Sequence, residues 1–226
     1  MLSNIQFAVA EDHFPPPFTV HYNLYFKGIP AGEGTRTLTY LSSGQFKLSS
    51  SARATGLAAL FQGGIEEYSL FERINGQIRP LEYTYQQSGR RPRHKRILFD
   101  WTNRLAKSTD RNENYELHLK TGVLDSLLYQ LVLMQDLKQG KKRLSYQVAK
   151  KDKISTYTPK FLGEERINTG VGQIMTLKYE RVADDEERRT TFWCAPTLHY
   201  LPVQVEHLER GNILSMVLES VRGLSD

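Results

Sequence analysis

From Phe18 onward the chain alternates apolar and polar residues with a period of two, the pattern of half-buried β-strands. Phe18, Val20, Tyr22, Leu24 and Phe26 fall on one face, with Thr19, His21 and Asn23 on the other. Gly28-Ile29-Pro30-Ala31-Gly32 turns the chain, and residues 33–41 return with Thr35, Thr37 and Thr39 alternating against Arg36, Leu38 and Tyr40, so a hairpin is predicted. Further strands are predicted over 45–54, 65–74, 81–87, 95–103 and 114–120. They are divided by Ser42-Ser43-Gly44, Asn75-Gly76, Ser88-Gly89 and a polar turn over 108–112, while 55–62 reads as a helical or looped corner.

The pattern breaks at 123–137. Leu124, Leu127, Leu128, Leu131 and Gln135 trace one helical face, and Val123, Val132, Leu133, Met134 and Leu137 cover much of the rest, so this helix is predicted to be buried on several sides. Thr121 or Asp125 is placed to cap its start, Lys138 suits its negative end, and Gly140 is placed to stop it; one or two buried strands are the alternative. Alternation then resumes over 143–148, 154–158, 160–167, 171–180, 189–194, 201–209 and 213–222, with an acidic hairpin tip at Asp184-Asp185-Glu186-Glu187 and a turn at Arg210-Gly211-Asn212. The expected fold is mainly β, a large curved antiparallel sheet or incomplete β-barrel wrapping a buried α-helix at 123–137. The expected organisation is one half-barrel domain over 18–226, preceded by an extension over 1–17 that ends in Pro15-Pro16-Pro17.

Composition fits an ordinary folded chain: 226 residues, 39% hydrophobic and 24% charged, enough to bury roughly three-quarters of the unfolded surface. A net charge of +5 and a pI of 9.2 permit attraction to phosphate backbones or to anionic lipid headgroups, without choosing between them. The lone Cys194 excludes an intramolecular disulfide and reads as a small buried hydrophobe. No apolar run reaches the roughly 18 to 20 residues that cross a bilayer as a helix. Ala8-Val9-Ala10 has the small-x-small pattern of an export cleavage site, as either a signal-peptide remnant or a coincidence, and no cysteine near the start offers a lipid-attachment site.

Catalytic and metal signatures are missing from the linear sequence. There is no Gly-x-Ser-x-Gly elbow, no His-Glu-x-x-His pair and no zinc-type cysteine spacing. His199 and His207 share parity but are separated by Pro202, and Gly170-Val171-Gly172 lacks the context of a dinucleotide site. Asp184-Asp185 falls in a predicted turn, and solvation accounts for it as for Glu164-Glu165. The expectation is therefore a non-catalytic protein with no cofactor and no metal, either a binding protein or a structural one that meets a partner through exposed sheet edges.

Two candidate binding regions follow. The first is a basic patch of Arg90, Arg91, Arg93, His94, Lys95 and Arg96, with Lys138, Lys141, Lys142, Arg143, Lys150, Lys151 and Lys153 as a second basic region. Such a patch suits a polyanion or an anionic membrane surface, with Tyr83, Tyr85 and Trp101 near enough in sequence to stack on bases; nucleic acid is nonetheless disfavoured against a solvated turn. The second is apolar: a cavity between sheet and helix, with Leu127, Leu128 and Leu131 on the helix side and Tyr22, Phe26 and Trp193 on the sheet side, would take a lipid or a lipoprotein acyl chain.

Several segments in order resemble one family: Phe18 to Gly34 (FTVHYNLYFKGIPAGEG), Pro80 followed by a strand and a basic turn, Gly122 to Tyr129 (GVLDSLLY), and Thr191-Phe192-Trp193-Cys194-Ala195 leading to Tyr200-Leu201-Pro202-Val203. They are similar to a bacterial envelope family classed as a domain of unknown function, number thirty-one-oh-eight. The resemblance implies an exported, periplasmic protein with a fold similar to the LolA and LolB lipoprotein carriers, and hence a hydrophobic cavity. It implies no ligand, because fold similarity alone does not carry function.

Overall fold

The computed structural model describes residues 13–56, 62–89, 91–182 and 187–224. Eight strands succeed one another as antiparallel neighbours: β1 (Phe18–Phe26), β2 (Ile29–Tyr40), β3 (Phe46–Ala54), β4 (Gln62–Ile74), β5 (Gln77–Gly89), β6 (Arg93–Asp100), β7 (Leu105–Asp110) and β8 (Glu113–His118). The chain then forms β9 (Val123–Leu124), helix α1 (Leu128–Lys138), β10 (Tyr146–Ala149) and β11 (Ile154–Tyr157). It returns as a second meander of β12 (Lys160–Thr169), β13 (Gly172–Val182), β14 (Arg188–Ala195), β15 (Leu201–Glu209) and β16 (Asn212–Arg222).

Strand β16 pairs with β1, which joins the two meanders into one 13-stranded antiparallel sheet with β12 and β8 as its edges. The sheet is curved and not closed into a barrel. Several tight turns owe their shape to consecutive residues at positive φ: Lys27-Gly28, Asn75-Gly76 and Arg210-Gly211 each supply the pair that a two-residue hairpin needs. Register shifts at His21/Tyr22, Leu24/Tyr25, Leu70/Phe71 and Trp193/Cys194 bend individual strands, as bulges do.

The concave face carries the core. Phe18, Val20, Tyr22, Leu38, Leu48, Phe71, Ile97, Phe192, Leu201 and Leu218 belong to the same hydrophobic cluster as Leu127, Leu128, Leu131, Leu133 and Met134 from the helix segment. The expected helix is present and buried, but it begins later than the apolar run. Val123–Leu124 is a two-residue strand that pairs in parallel with β10, inside a small three-stranded sheet that period-two reading does not separate from the large one. Asp125 explains the boundary: its Oδ1 accepts from the Leu127 and Leu128 N–H groups at 2.8 and 2.9 Å and so starts the helix. Gly140, at φ 71°, follows its end.

One turn is corrected to a strand. Residues 105–110 form β7, because Ala106, Ser108 and Asp110 face inward; these small and acidic side chains hide the alternation that larger apolar residues would display. Phe14 is buried against Phe46, and Pro15 accepts a hydrogen bond from Tyr40, so the end of the expected extension packs on the sheet. Ala8-Val9-Ala10, the centre of the 55–62 corner, Arg90 and Asp184-Asp185-Glu186 lie outside the described residues.

Candidate functional site

Near one end of the concave face, strand parity turns from apolar to cationic. In β6, Arg93 and Lys95 share parity with the buried Ile97 and Phe99. In β13, Arg181 continues the row of Leu177 and Tyr179; in β14, Arg188 continues that of Phe192; in β15, His207 continues that of Val203 and Val205. All these cationic and histidine side chains line a cavity of about 680 Å³, along with Tyr83 and Tyr85 of β5 and Lys150, Lys151, Lys153 and Tyr157 from the inner sheet and its connection. Ser126, just before α1, also contributes.

Some of these cations are matched. Arg93 donates from Nε and Nη2 to the two carboxylate oxygens of Asp110, at 2.9 and 2.5 Å, and this pair holds Asp110 below the usual carboxylate range. Lys151 pairs with Glu113 of the edge strand β8. Others are not. Lys95, 7% exposed, lies 5.1 Å from the centre of the Tyr83 ring, and Lys150 lies 4.7 Å from the centre of the Tyr157 ring and 3.4 Å from Ser126 Oγ. Among the described residues neither ammonium has a carboxylate within salt-bridge distance. Burial first, and the neighbouring cations second, push both lysines down to about 8.

Arg181 stacks its guanidinium over Tyr157 at 4.1 Å and donates to Thr190 Oγ1 at 2.8 Å, while its buried Nε has no partner. His207 bonds Thr190 Oγ1 at 3.2 Å, and burial lowers its pKa despite nearby Glu209. Beneath the wall, Tyr83 donates to the half-buried Glu67 carboxyl at 2.8 Å, and desolvation raises the Glu67 pKa. Asp125 is likewise raised, to about 6, by burial against the lowering effect of its hydrogen bonds. Seven Lys and Arg side chains line the cavity against one carboxylate, Glu209, among the described residues. The cavity is therefore electropositive and aromatic-walled.

A second cavity of about 800 Å³ lies towards the C-terminal end of α1 and the β4–β5 turn. Its Lys141 and Asp136 pair at 2.5 Å. Among the described residues, no three His, Cys, Asp or Glu side chains come together as metal ligands. Ser126 and Lys150 have the makings of a nucleophile and its base, but the adjacent Leu127 and Leu128 N–H groups are spent on Asp125 and cannot form an oxyanion hole.

The apolar candidates line neither of these two cavities. Tyr22 is buried with its hydroxyl on the Pro202 carbonyl at 3.0 Å, and Leu127, Leu128 and Leu131 are fully packed in the core. Trp193 faces the other way, its Nε1 donating to Glu165 at 2.9 Å beneath Lys178, and Phe26 is exposed at the end of β1. The basic patch divides by parity. Arg93 and Lys95 enter the cavity, whereas Arg91 and His94 face solvent and Arg96 pairs with Glu82 on the outer face. From the second basic region Lys150, Lys151 and Lys153 join them. Sequence reasoning misses Arg181 and Arg188, although their parity with Tyr179 and Phe192 is a signal that could have found them.

The family profile for the protein of unknown function DUF3108 matches residues 18–217. The chain belongs to the DUF3108 family. Among solved structures, this DUF3108 protein is similar to a β-barrel-like protein of the DUF1849 family from Brucella abortus, at a TM-score of 0.58 and 9% identity over 94% of this chain and 99% of that one. That likeness concerns the fold alone. It also aligns with a candidate lipoprotein from Parabacteroides distasonis (TM-score 0.35, 12% identity, covering 93% and 98%) and a candidate exported protein from Bacteroides fragilis (TM-score 0.36, 10% identity, covering 92% and 98%). None of the three is described as a LolA or LolB carrier. Comparison with curated proteins finds no match.

Proposed function

We propose that this DUF3108 protein is a non-catalytic binding protein of the cell envelope that holds an anionic group, phosphate or carboxylate, in the cavity between β5–β6, β13–β15 and the inner sheet. One observation carries the reading: Lys95, buried, and Lys150, half-buried, both line the cavity, and neither has a carboxylate partner among the described residues. Burying a charge is costly unless an opposite charge meets it, and an incoming anion is that charge. Arg181 adds a buried unpartnered donor, its Nε. The envelope address rests on the Ala8-Val9-Ala10 pattern and the resemblance to exported members of the family. Cell fractionation tests it, and recovery with cytoplasmic markers overturns it.

Titration calorimetry of the full chain with inorganic pyrophosphate and with citrate tests the binding. At least one of them is expected to bind, to weaken tenfold or more in Lys150→Met, and to weaken as pH rises above about 8, where Lys95 and Lys150 lose their protons. Absence of binding by both anions, or affinity unchanged in Lys150→Met, overturns the proposal.

A further inference from the structure

The cationic wall continues sideways into an apolar one. Cross-strand partners in an antiparallel sheet present their side chains on the same face, about 5 Å apart. Following the register from the cavity, Arg181 is opposite Thr190, Thr190 opposite His207, His207 opposite Leu214, Leu214 opposite Phe26, and Phe26 opposite Ile29. The first and third of these line the cavity. The last three are large apolar side chains left 46%, 42% and 68% exposed, a departure from the polar residues that occupy most exposed strand positions. One row behind them, Met216 is opposite Leu24, and both pack against the core while remaining partly accessible. A cationic well thus opens beside a strip of uncovered apolar surface that spans roughly three strand spacings, or about 14 Å, from His207 to Ile29.

We propose that the ligand is an anionic amphiphile, with its head group in the cationic cavity and its hydrocarbon chain lying across Leu214, Phe26 and Ile29. This rests on the anion-binding reading of the cavity and adds what that reading leaves open, the class of molecule attached to the anion. A small hydrophilic anion would satisfy the lysines and leave the apolar strip bare. A neutral lipid would cover the strip and leave the lysines without a counter-charge. The amphiphile satisfies both, and the register fixes their adjacency without any conformational change.

The test uses the full chain and a series of monoalkyl phosphates, butyl, octyl and dodecyl, below their micelle concentrations, beside inorganic phosphate and the uncharged dodecyl maltoside. Binding by calorimetry is expected to tighten severalfold for every two carbons added until the chain spans the strip, because each buried methylene contributes transfer free energy. The double variant Leu214→Ser, Ile29→Ser changes exposed positions. It is expected to flatten the chain-length dependence while leaving inorganic phosphate or butyl phosphate affinity within twofold. Chain length without effect on the unaltered protein, or a chain-length dependence that survives the double variant, overturns the amphiphile while leaving anion binding standing. Dodecyl maltoside binding as tightly as dodecyl phosphate, with Lys150→Met having no effect, overturns the anion-binding reading itself.

Discussion

Replacing Lys95 by Met should make the unliganded protein more stable and a poorer binder. The ammonium of Lys95 is almost wholly buried, has Lys150 and Arg93 as neighbours, and titrates near 8 where an unfolded chain would hold its proton to 10.5. At 1.36 kcal/mol per pKa unit, keeping that proton in the folded state below pH 8 costs about 3 kcal/mol. Methionine matches most of the stem and carries no charge, but it gives up the contact with the Tyr83 ring, which offsets about 1 kcal/mol. The net expectation at pH 7 is a gain of about 1 to 3 kcal/mol. Between pH 8 and 10.5 the unfolded chain binds more protons at this position than the native one, so the unaltered protein gains stability as pH rises and the advantage of Lys95→Met fades. Urea denaturation at pH 7 and pH 10, followed by tryptophan fluorescence, measures both. Destabilisation by more than about 1 kcal/mol at pH 7, or a gain that fails to shrink by pH 10, would refute the desolvation argument on which the binding site stands.

Asp125→Ala should cost about 2 to 4 kcal/mol in chemical denaturation, since the Leu127 and Leu128 N–H groups and the Ser69 hydroxyl would lose a shared buried acceptor. In the unaltered protein the raised Asp125 pKa removes stability as pH rises from about 4 to about 6, because the unfolded carboxyl ionises first; Asp125→Asn should flatten that slope, and an unchanged slope would show the carboxyl is not the source. Gly170 donates its N–H to the Leu218 carbonyl at 2.8 Å where the β12–β13 turn meets β16, and a Cβ there would lie 2.3 Å from the Glu219 carbonyl oxygen. Gly170→Val should therefore lower stability by about 2 to 4 kcal/mol; equal urea midpoints would show that the turn shifts freely.

The sheet is legible in the sequence because strand alternation is a direct imprint of a one-sided core. Phe18 to Phe26 and Leu201 to Val205 repeat apolar residues at every second position, and the structure buries most of those positions. β7 is not legible, because Ala106, Ser108 and Asp110 carry too little apolar surface to register as an inward face. The apolar run from Val123 reads as one helix because burial on all sides looks alike in a strand and a helix; only the Asp125 carboxylate divides it. The site falls between two partial readings. Arg93 and Lys95 pass for part of a solvated basic turn, although Ile97 and Phe99, at the same parity further along the strand, place that face inward. Which cations meet across the bowl depends on pairings such as Arg181 with Thr190 and Thr190 with His207, and register is not written in any single strand.

Because β1 pairs with β16, the middle of the large sheet is a seam between segments nearly two hundred residues apart. A chain emerging from a ribosome or a translocon in N-to-C order can assemble β2 to β8 hairpin by hairpin, yet β1 must wait, half-paired, for the last strand. Such long-range closure is slow and leaves an unpaired backbone edge exposed in the interim. Until residues 212–222 arrive, the open edge of β1 is the place where a second chain could pair by mistake, and their docking closes it.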